Sequence, residues 1–159
     1  MEFEIRAMRR SDIDAIAECF ASWNKKREQY ERYFEANRSG ERVTLVAEAR
    51  AQVVGYTNVV WQSAYEPFWR DGIPEIVDLN VVEEFQRRGI GTALITEAER
   101  IVAGAGKPVI GIGVGQTPDY AAAQRLYPKL GYVYNGRGIR TDPQWGDALY
   151  LTKRLTKRH

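Results

Sequence analysis

Polar and apolar residues alternate from Phe3 to Arg6, which predicts a first strand. Helical spacing follows: Ile13, Ile16, Ala17 and Phe20 share one face, and Ser11 stands where an N-cap belongs, with Asp12 and Asp14 favourable in the first turn. From Asn24 to Asn37 the chain is dense in charge but keeps Tyr30, Tyr33 and Phe34 on one side. A second, more exposed helix is expected there, its charged side a solvated face and Ser39-Gly40 its stop. Two strand-like runs, Arg42 to Ala49 and Gln52 to Trp61, are joined by Arg50-Ala51 and predict a hairpin. Gln62 to Gly72 reads as a loop, and Ile73 to Val82 as the next strand. Ile90 to Val102 is a helix with Ala93, Leu94, Ala98, Ile101 and Val102 as its apolar positions, ended by Gly104 and Gly106. Pro108 to Val114 is a short apolar strand, and Asp119 caps a helix running to about Lys129 and closed by Gly131. Tyr132 to Tyr134, a glycine-rich turn and a last strand from Ala148 to about Thr152 complete the chain. The order β-α-α-β-β-β-α-β-α-β-β holds two strand–helix–strand units. These predict parallel neighbours in a mixed sheet with helices on both faces, a mixed α/β fold.

The 159 residues suit a single domain, 1–159, with a core that needs no disulfide or metal. Apolar residues at 44% and charged residues at 28% match a soluble globular chain, and a net charge of +2 is too balanced to point to nucleic acid. No apolar run approaches the ~18 residues of a membrane span, and the start lacks a basic stretch followed by an apolar one. No membrane association is expected, and the cytoplasm is the expected compartment, in keeping with the single Cys19. One Cys and one His, His159, cannot build a zinc site within the chain, so no metal is expected. An imidazole-based triad would need that final residue, so proton transfer falls to carboxylates, Tyr or Lys.

The segment Glu75-Ile-Val-Asp-Leu-Asn-Val-Val-Glu-Glu-Phe-Gln-Arg-Arg-Gly-Ile-Gly-Thr92 runs strand, basic turn, helix. Gly89 and Gly91 let the backbone approach a ligand, the free N–H groups of the turn and helix start attract an anion, and Arg87 and Arg88 add charge. A pyrophosphate suits this arrangement. Other phosphate motifs fail: Gly106-Lys107 is followed by Pro108 rather than Ser or Thr, and Gly111-Ile-Gly-Val-Gly-Gln116 lies inside a strand and lacks the third glycine of a dinucleotide fingerprint.

Gln86-Arg-Arg-Gly89-Ile-Gly91 resembles the Q/R-x-x-G-x-G/A signature of the GCN5-related N-acetyltransferases (GNAT). Ala123-Gln-Arg-Leu-Tyr127-Pro-Lys-Leu-Gly131-Tyr132 is similar to the family's second signature, in the right order and at about the right distance. The resemblance covers nearly the whole chain. It implies a central mixed sheet of about seven strands with a bulged fourth strand splayed from the fifth. It also implies acetyl-CoA as co-substrate, and direct transfer to an amine in a ternary complex. Leu79, Asn80 and Val81 would line the thioester and pantetheine, and Gln86, Arg87, Arg88, Gly89, Ile90, Gly91 and Thr92 would hold the pyrophosphate. The family often carries Asn seven residues before the helix Tyr, where it meets the pantetheine; here that position is Tyr120.

Acetyl transfer to an amine poses two proton problems. An alkylammonium with a pKa of ~10.4 must lose a proton before it attacks, and a departing thiolate with a pKa of ~8.5 leaves better when protonated. The resemblance implies Tyr127 as the acid. Glu75, sixteen residues before Gly91 as in the histone-acetylating branch, is the implied base, acting through water, with Asp78 as its rival. Asp78 alternates to the other face of the strand unless a bulge shifts the phase. Backbone N–H groups near Leu79 are candidate oxyanion donors. The segments that wall the acceptor pocket in the family hold Trp23, Tyr30, Tyr33 and Phe34, then Trp61, Tyr65, Phe68 and Trp69. Such rings bind a cationic or apolar amine, pack a core, or meet a second copy in a homodimer. Cys19, on the first helix away from both motifs, argues against a covalent acyl-cysteine route. The resemblance implies a small-molecule or peptide amine as the acceptor. A non-catalytic acyl-CoA-binding or regulatory module is the alternative.

Overall fold

The computed structural model describes residues 2–23, 25–143 and 146–156. Asn24 and His159, both named above, lie outside the described residues. The strands are β1 (Glu4–Ala7), β2 (Arg42–Ala49), β3 (Gln52–Val60), β4 (Glu75–Val81), β5 (Val109–Gly115), β6 (Val133–Tyr134), β7 (Arg140–Asp142) and β8 (Gly146–Arg154). The helices are α1 (Asp12–Cys19), α2 (Arg27–Ser39), α3 (Glu66–Asp71), α4 (Ile90–Gly104) and α5 (Ala121–Lys129). The strands form one sheet in the order β1-β2-β3-β4-β5-β8-β6, with β7 paired to β8.

Burial on two sheet faces drives this arrangement. Leu45, Ala47, Val59, Ile76, Ile110 and Ile112 meet the inward stripe of α4, Leu94, Ile95, Ala98 and Val102, with Tyr127 of α5 in the same core. The opposite face carries Val46, Val53 and Tyr56, covered by Ile13, Ile16 and Phe20 from α1 and its end and by Tyr30 from α2. The charge-dense helix therefore does have a solvated side, but Tyr30 is fully buried on its other side. The β2/β3 hairpin turns on Arg50 and Ala51, both left-handed at φ 52° and 62°. That pair of positive φ values is what a two-residue turn needs to match the strand twist.

The glycines inside β5 have a packing role. Gly111, Gly113 and Gly115 alternate onto one face, and a Cβ on them would run into the rings of Phe68, Tyr150 and Tyr120 respectively. Phe68, Tyr65 and Tyr150 form a small third core there, with Tyr65 and Tyr150 stacked at 3.7 Å between ring centroids.

Several expectations need correction. The stretch Gln62–Gly72 is not all loop: α3 forms from Glu66 to Asp71, with Pro67 in its first turn and Gly72 left-handed at its end. Only β4 and β5 run parallel among the described pairs; β6, after α5, pairs antiparallel with β8 instead. The sheet has eight strands rather than about seven, because β7 forms within the stretch read as a glycine-rich turn. Ser11 makes no side-chain cap; Asp12 instead accepts the Arg9 backbone N–H at 2.7 Å and pairs with Arg6. The second helix runs Arg27–Ser39, and Asp119 lies within a short 3-10 turn, Pro118–Tyr120, rather than capping α5.

Candidate active site

Strands β4 and β5 pair only at Glu75–Gly111 and Ile76–Ile112, then part. A bulge in β4 accompanies the separation. The β3/β4 register slips between Tyr56 and Asn58, so Asp78 and Leu79 stand against Thr57, and Asp78 has φ 57°. A left-handed residue in a strand bends it and sharpens its twist. Gly55 makes room, since a Cβ there would lie 2.9 Å from the Asn80 carbonyl oxygen. The result is a cleft between the second half of β4 and the end of β5. Leu79 and Val81 turn their side chains into the α4 core, while Asn80 turns its amide toward Asp78 at 2.7 Å.

The basic turn closes one end of β4. Gln86 Nε2 donates to the Val81 carbonyl at 2.9 Å and ties the turn to the strand. Arg87 and Gly89 are left-handed, φ 63° and 83°. The backbone N–H groups of Ile90, Gly91 and Thr92 precede the first hydrogen bond of α4, from Ala93 to Gly89 at 3.0 Å. These donors are the orphans of the α4 start together with a concave turn, which makes an anion cradle. Ile90 anchors the helix start in the core at 1% exposure, and Arg88 lies over the Phe85 ring at 5.5 Å. The donor set fits a pyrophosphate.

Glu75, at the start of β4, is 8% exposed. The Ser63 hydroxyl donates to its Oε1 at 2.5 Å and accepts the Tyr65 N–H at 2.9 Å. Burial pushes the carboxyl up to about 7, while Ser63 and the charge of Arg140 pull it down and Asp142 adds to the rise. At that value the carboxyl exchanges its proton near neutral pH. Tyr127 lies on the α4 side of the sheet, 6% exposed, and burial, aided by Tyr120, pushes its phenol up to about 12. The phenol therefore stays protonated through neutral pH.

Asp78 faces the same side of the sheet as Glu75, because the bulge resets the alternation. Its Oδ2 accepts from Tyr33 OH at 2.6 Å, Tyr56 OH at 3.1 Å and Gln29 Nε2 at 3.1 Å, and its Oδ1 from Asn80 and from the Lys25 ammonium. Burial works to raise the carboxyl, but Lys25, Tyr33 and Asn80 outweigh it and hold the group below its ordinary value. Tyr33 and Tyr56 are pushed up, mainly by burial and then by the Asp78 charge, so both remain neutral donors.

Residues 10–132 match the family model for the acetyltransferase (GNAT) family. The chain belongs to this family. No curated protein matches it. Among solved structures, the GNAT chain is similar to yncA of Salmonella typhimurium, a structure with its cofactor acetyl-CoA, at TM-score 0.77 and 20% identity, covering 100% of this chain and 97% of that one. It is similar to the ribosomal-protein-alanine N-acetyltransferase of Brucella melitensis at TM-score 0.75 and 24% identity, covering 96% and 99%. An aminoglycoside 6'-N-acetyltransferase complexed with coenzyme A matches at TM-score 0.69 and 19% identity, covering 98% and 99%. At these identities the likeness establishes the GNAT fold.

The remaining predicted residues fall in several places. Tyr120 leans over Gly115 beside the cleft and is 40% exposed. Of the acceptor-side aromatics, Tyr30, Tyr65 and Phe68 are core, while Trp23 and Trp69 are exposed at 38% and 54%. Cys19 is closer to the first motif than its place in the sequence implied: it lines a cleft of about 560 Å³ with Trp23, Val82 and Phe85. Its thiol donates to the Val53 carbonyl at 2.9 Å, and burial, with Glu18 and Glu84, pushes it up, so it is a poor nucleophile. Sequence reasoning missed Ser63, Gln29 and Lys25. No spacing signal marks them, because each meets its carboxylate across a long stretch of chain.

Proposed function

We propose that the protein is an acetyl-CoA-dependent N-acetyltransferase that moves the acetyl group directly to an amine, small molecule or peptide, in a ternary complex. The observation that carries this reading is a cleft with an anion cradle at its end, a carboxyl poised at about 7 on one sheet face and a neutral phenol on the other. The acetyl-CoA bound to yncA and the coenzyme A bound to the aminoglycoside enzyme support the choice of co-substrate. Backbone N–H groups from Arg87 to Thr92 would hold the pyrophosphate, and β4 backbone from Leu79 to Val81 the pantetheine. When bound, acetyl-CoA supplies an activated acyl thioester.

Glu75 takes the proton of the acceptor ammonium through water, matched to neutral pH by its burial. The N–H groups of the bulge near Leu79 stabilise negative charge at the carbonyl oxygen. Tyr127 donates its hydroxyl hydrogen to the departing sulfur. A phenol at about 12 is a weak acid for this task; desolvation in the same cleft would raise a departing thiolate as well and narrow the mismatch.

The test is thiol release from acetyl-CoA across a panel of amines. Release that depends on both amine and enzyme is expected. Tight CoA binding with no release for any amine would instead make the protein a binding module. Gly89→Asp puts a negative charge and a Cβ at a left-handed cradle position and is expected to weaken CoA binding at least ~10-fold; an unchanged Kd would remove the cradle from the reading.

A further inference from the structure

The Asp78 cluster takes no part in the chemistry above. A carboxylate held below its ordinary value is a poor proton acceptor, yet nearly every group around it is turned inward to serve it. The geometry describes a seat for one compact cation. Tyr33, Gln29 and Tyr56 occupy Oδ2, leaving Oδ1, shared with Asn80, for a single cationic donor. The Tyr56 oxygen accepts from the same cation at 3.2 Å, and the Tyr56 ring lies 5.7 Å from it. One free carboxylate oxygen cannot take the two-pronged grip of a guanidinium, so the seat selects an alkylammonium. The present occupant is Lys25, from the connection between α1 and α2 and outside every helix and strand. The seat is on the same sheet face as Glu75, at the bulge that opens the cleft.

We propose that this seat docks a spectator ammonium of the acceptor, which displaces Lys25. The acceptor class is then an aliphatic molecule with two amino groups, one kept charged at Asp78 while the other gives its proton to Glu75. This rests on the acetyl-transfer reading for its purpose, but its first test does not. The full-length chain is titrated calorimetrically with 1,4-diaminobutane and with 1,4-butanediol in the absence of acetyl-CoA. Lys25→Met is expected to bind the diamine about tenfold more tightly than the unaltered protein, since the competing internal occupant is gone. The diol is expected not to bind, and Lys25→Met with Asp78→Asn to lose the diamine. Lys25→Met is also expected to melt lower and to recover on adding diamine. If it does not fold, Lys25→Gln, which keeps a donor toward Asp78, carries the same titration. Equal diamine affinity with and without Lys25, or affinity surviving Asp78→Asn, would overturn the seat. With acetyl-CoA added, diaminobutane should exceed butylamine in kcat/KM by about tenfold in the Lys25 variant and lose that lead with Asp78→Asn. Equal rates for the two amines would overturn the spectator role. A protein that never transfers acetyl would leave the binding result intact, so the two failures are distinguishable.

Discussion

Glu75 and Asp78 stand three residues apart on one strand, face one side of the sheet and are both largely buried, yet their proton affinities move in opposite directions. Glu75 accepts a hydroxyl from Ser63 and feels the charges of Arg140 and Asp142, which oppose each other, and desolvation wins. Asp78 suffers comparable burial but is met by donors from α2, β3 and β4 and by an ammonium, and the donors win. Burial alone therefore does not make a base; burial with too few donors does. The signs on stability also differ. Glu75 is raised from 4.5 to about 7, so its contribution to folding is present below 4.5 and lost as pH rises toward 7. The lowered carboxyl of Asp78 contributes stability present above its unfolded value and lost as pH falls through its folded one.

The largest effects that sharpen this contrast are kinetic. Glu75→Gln is expected to lower kcat by ~10²–10⁴ and to erase a rising limb near pH 7 in kcat/KM, a limb that Asp78→Asn should leave in place. Tyr127→Phe is expected to cost a similar ~10²–10⁴ in kcat while keeping the limb and the CoA affinity. Unchanged turnover in either variant would strip that residue of its role. Next come the stability effects. Asp78→Asn removes the buried Lys25–Asp78 ion pair and should cost ~3 kcal/mol in urea unfolding. Glu75→Gln should do the reverse above pH 7, removing a charge penalty on the order of 3 kcal/mol at most, so its melting temperature at pH 8 should rise. Two variants that shift the same way would break the comparison. The smallest is Ser63→Ala: with the one hydroxyl donor gone, the limb near pH 7 should move upward by less than about one unit. A limb that stays put would mean Ser63 does not tune Glu75.

Much of this was legible in the sequence, and the reasons for the rest are physical. The β2/β3 hairpin, the α4 stripe and the turn from Gln86 to Thr92 are local patterns, set by neighbours within a few residues, and the structure reproduces them. Helix α3 was legible too, since Pro67 near its start and Gly72 past its end are ordinary helix signals, masked by a dense aromatic run. The second parallel pair failed because sequence order does not fix sheet order: β8 takes the place beside β5 that β6 was expected to fill. Glu75 and Tyr127 came from motif distance, but the asymmetry between Glu75 and Asp78 did not. It depends on the bulge register and on Ser63, Lys25, Gln29, Tyr33 and Tyr56, which converge from four separate segments.

The left-handed backbone at Asp78 bears on how such a protein can diversify. Asparagine and glycine, each one base change from aspartate, are among the few residues that adopt φ 57° at low cost. Either would preserve the bend that parts β4 from β5 while abolishing the negative charge beside it. If Asp78 docks the acceptor as proposed, the scaffold for the donor molecule and the group that screens the recipient share one residue but answer to different atoms of it, backbone and carboxyl. A lineage can try new recipients at that codon without first rebuilding the donor cleft.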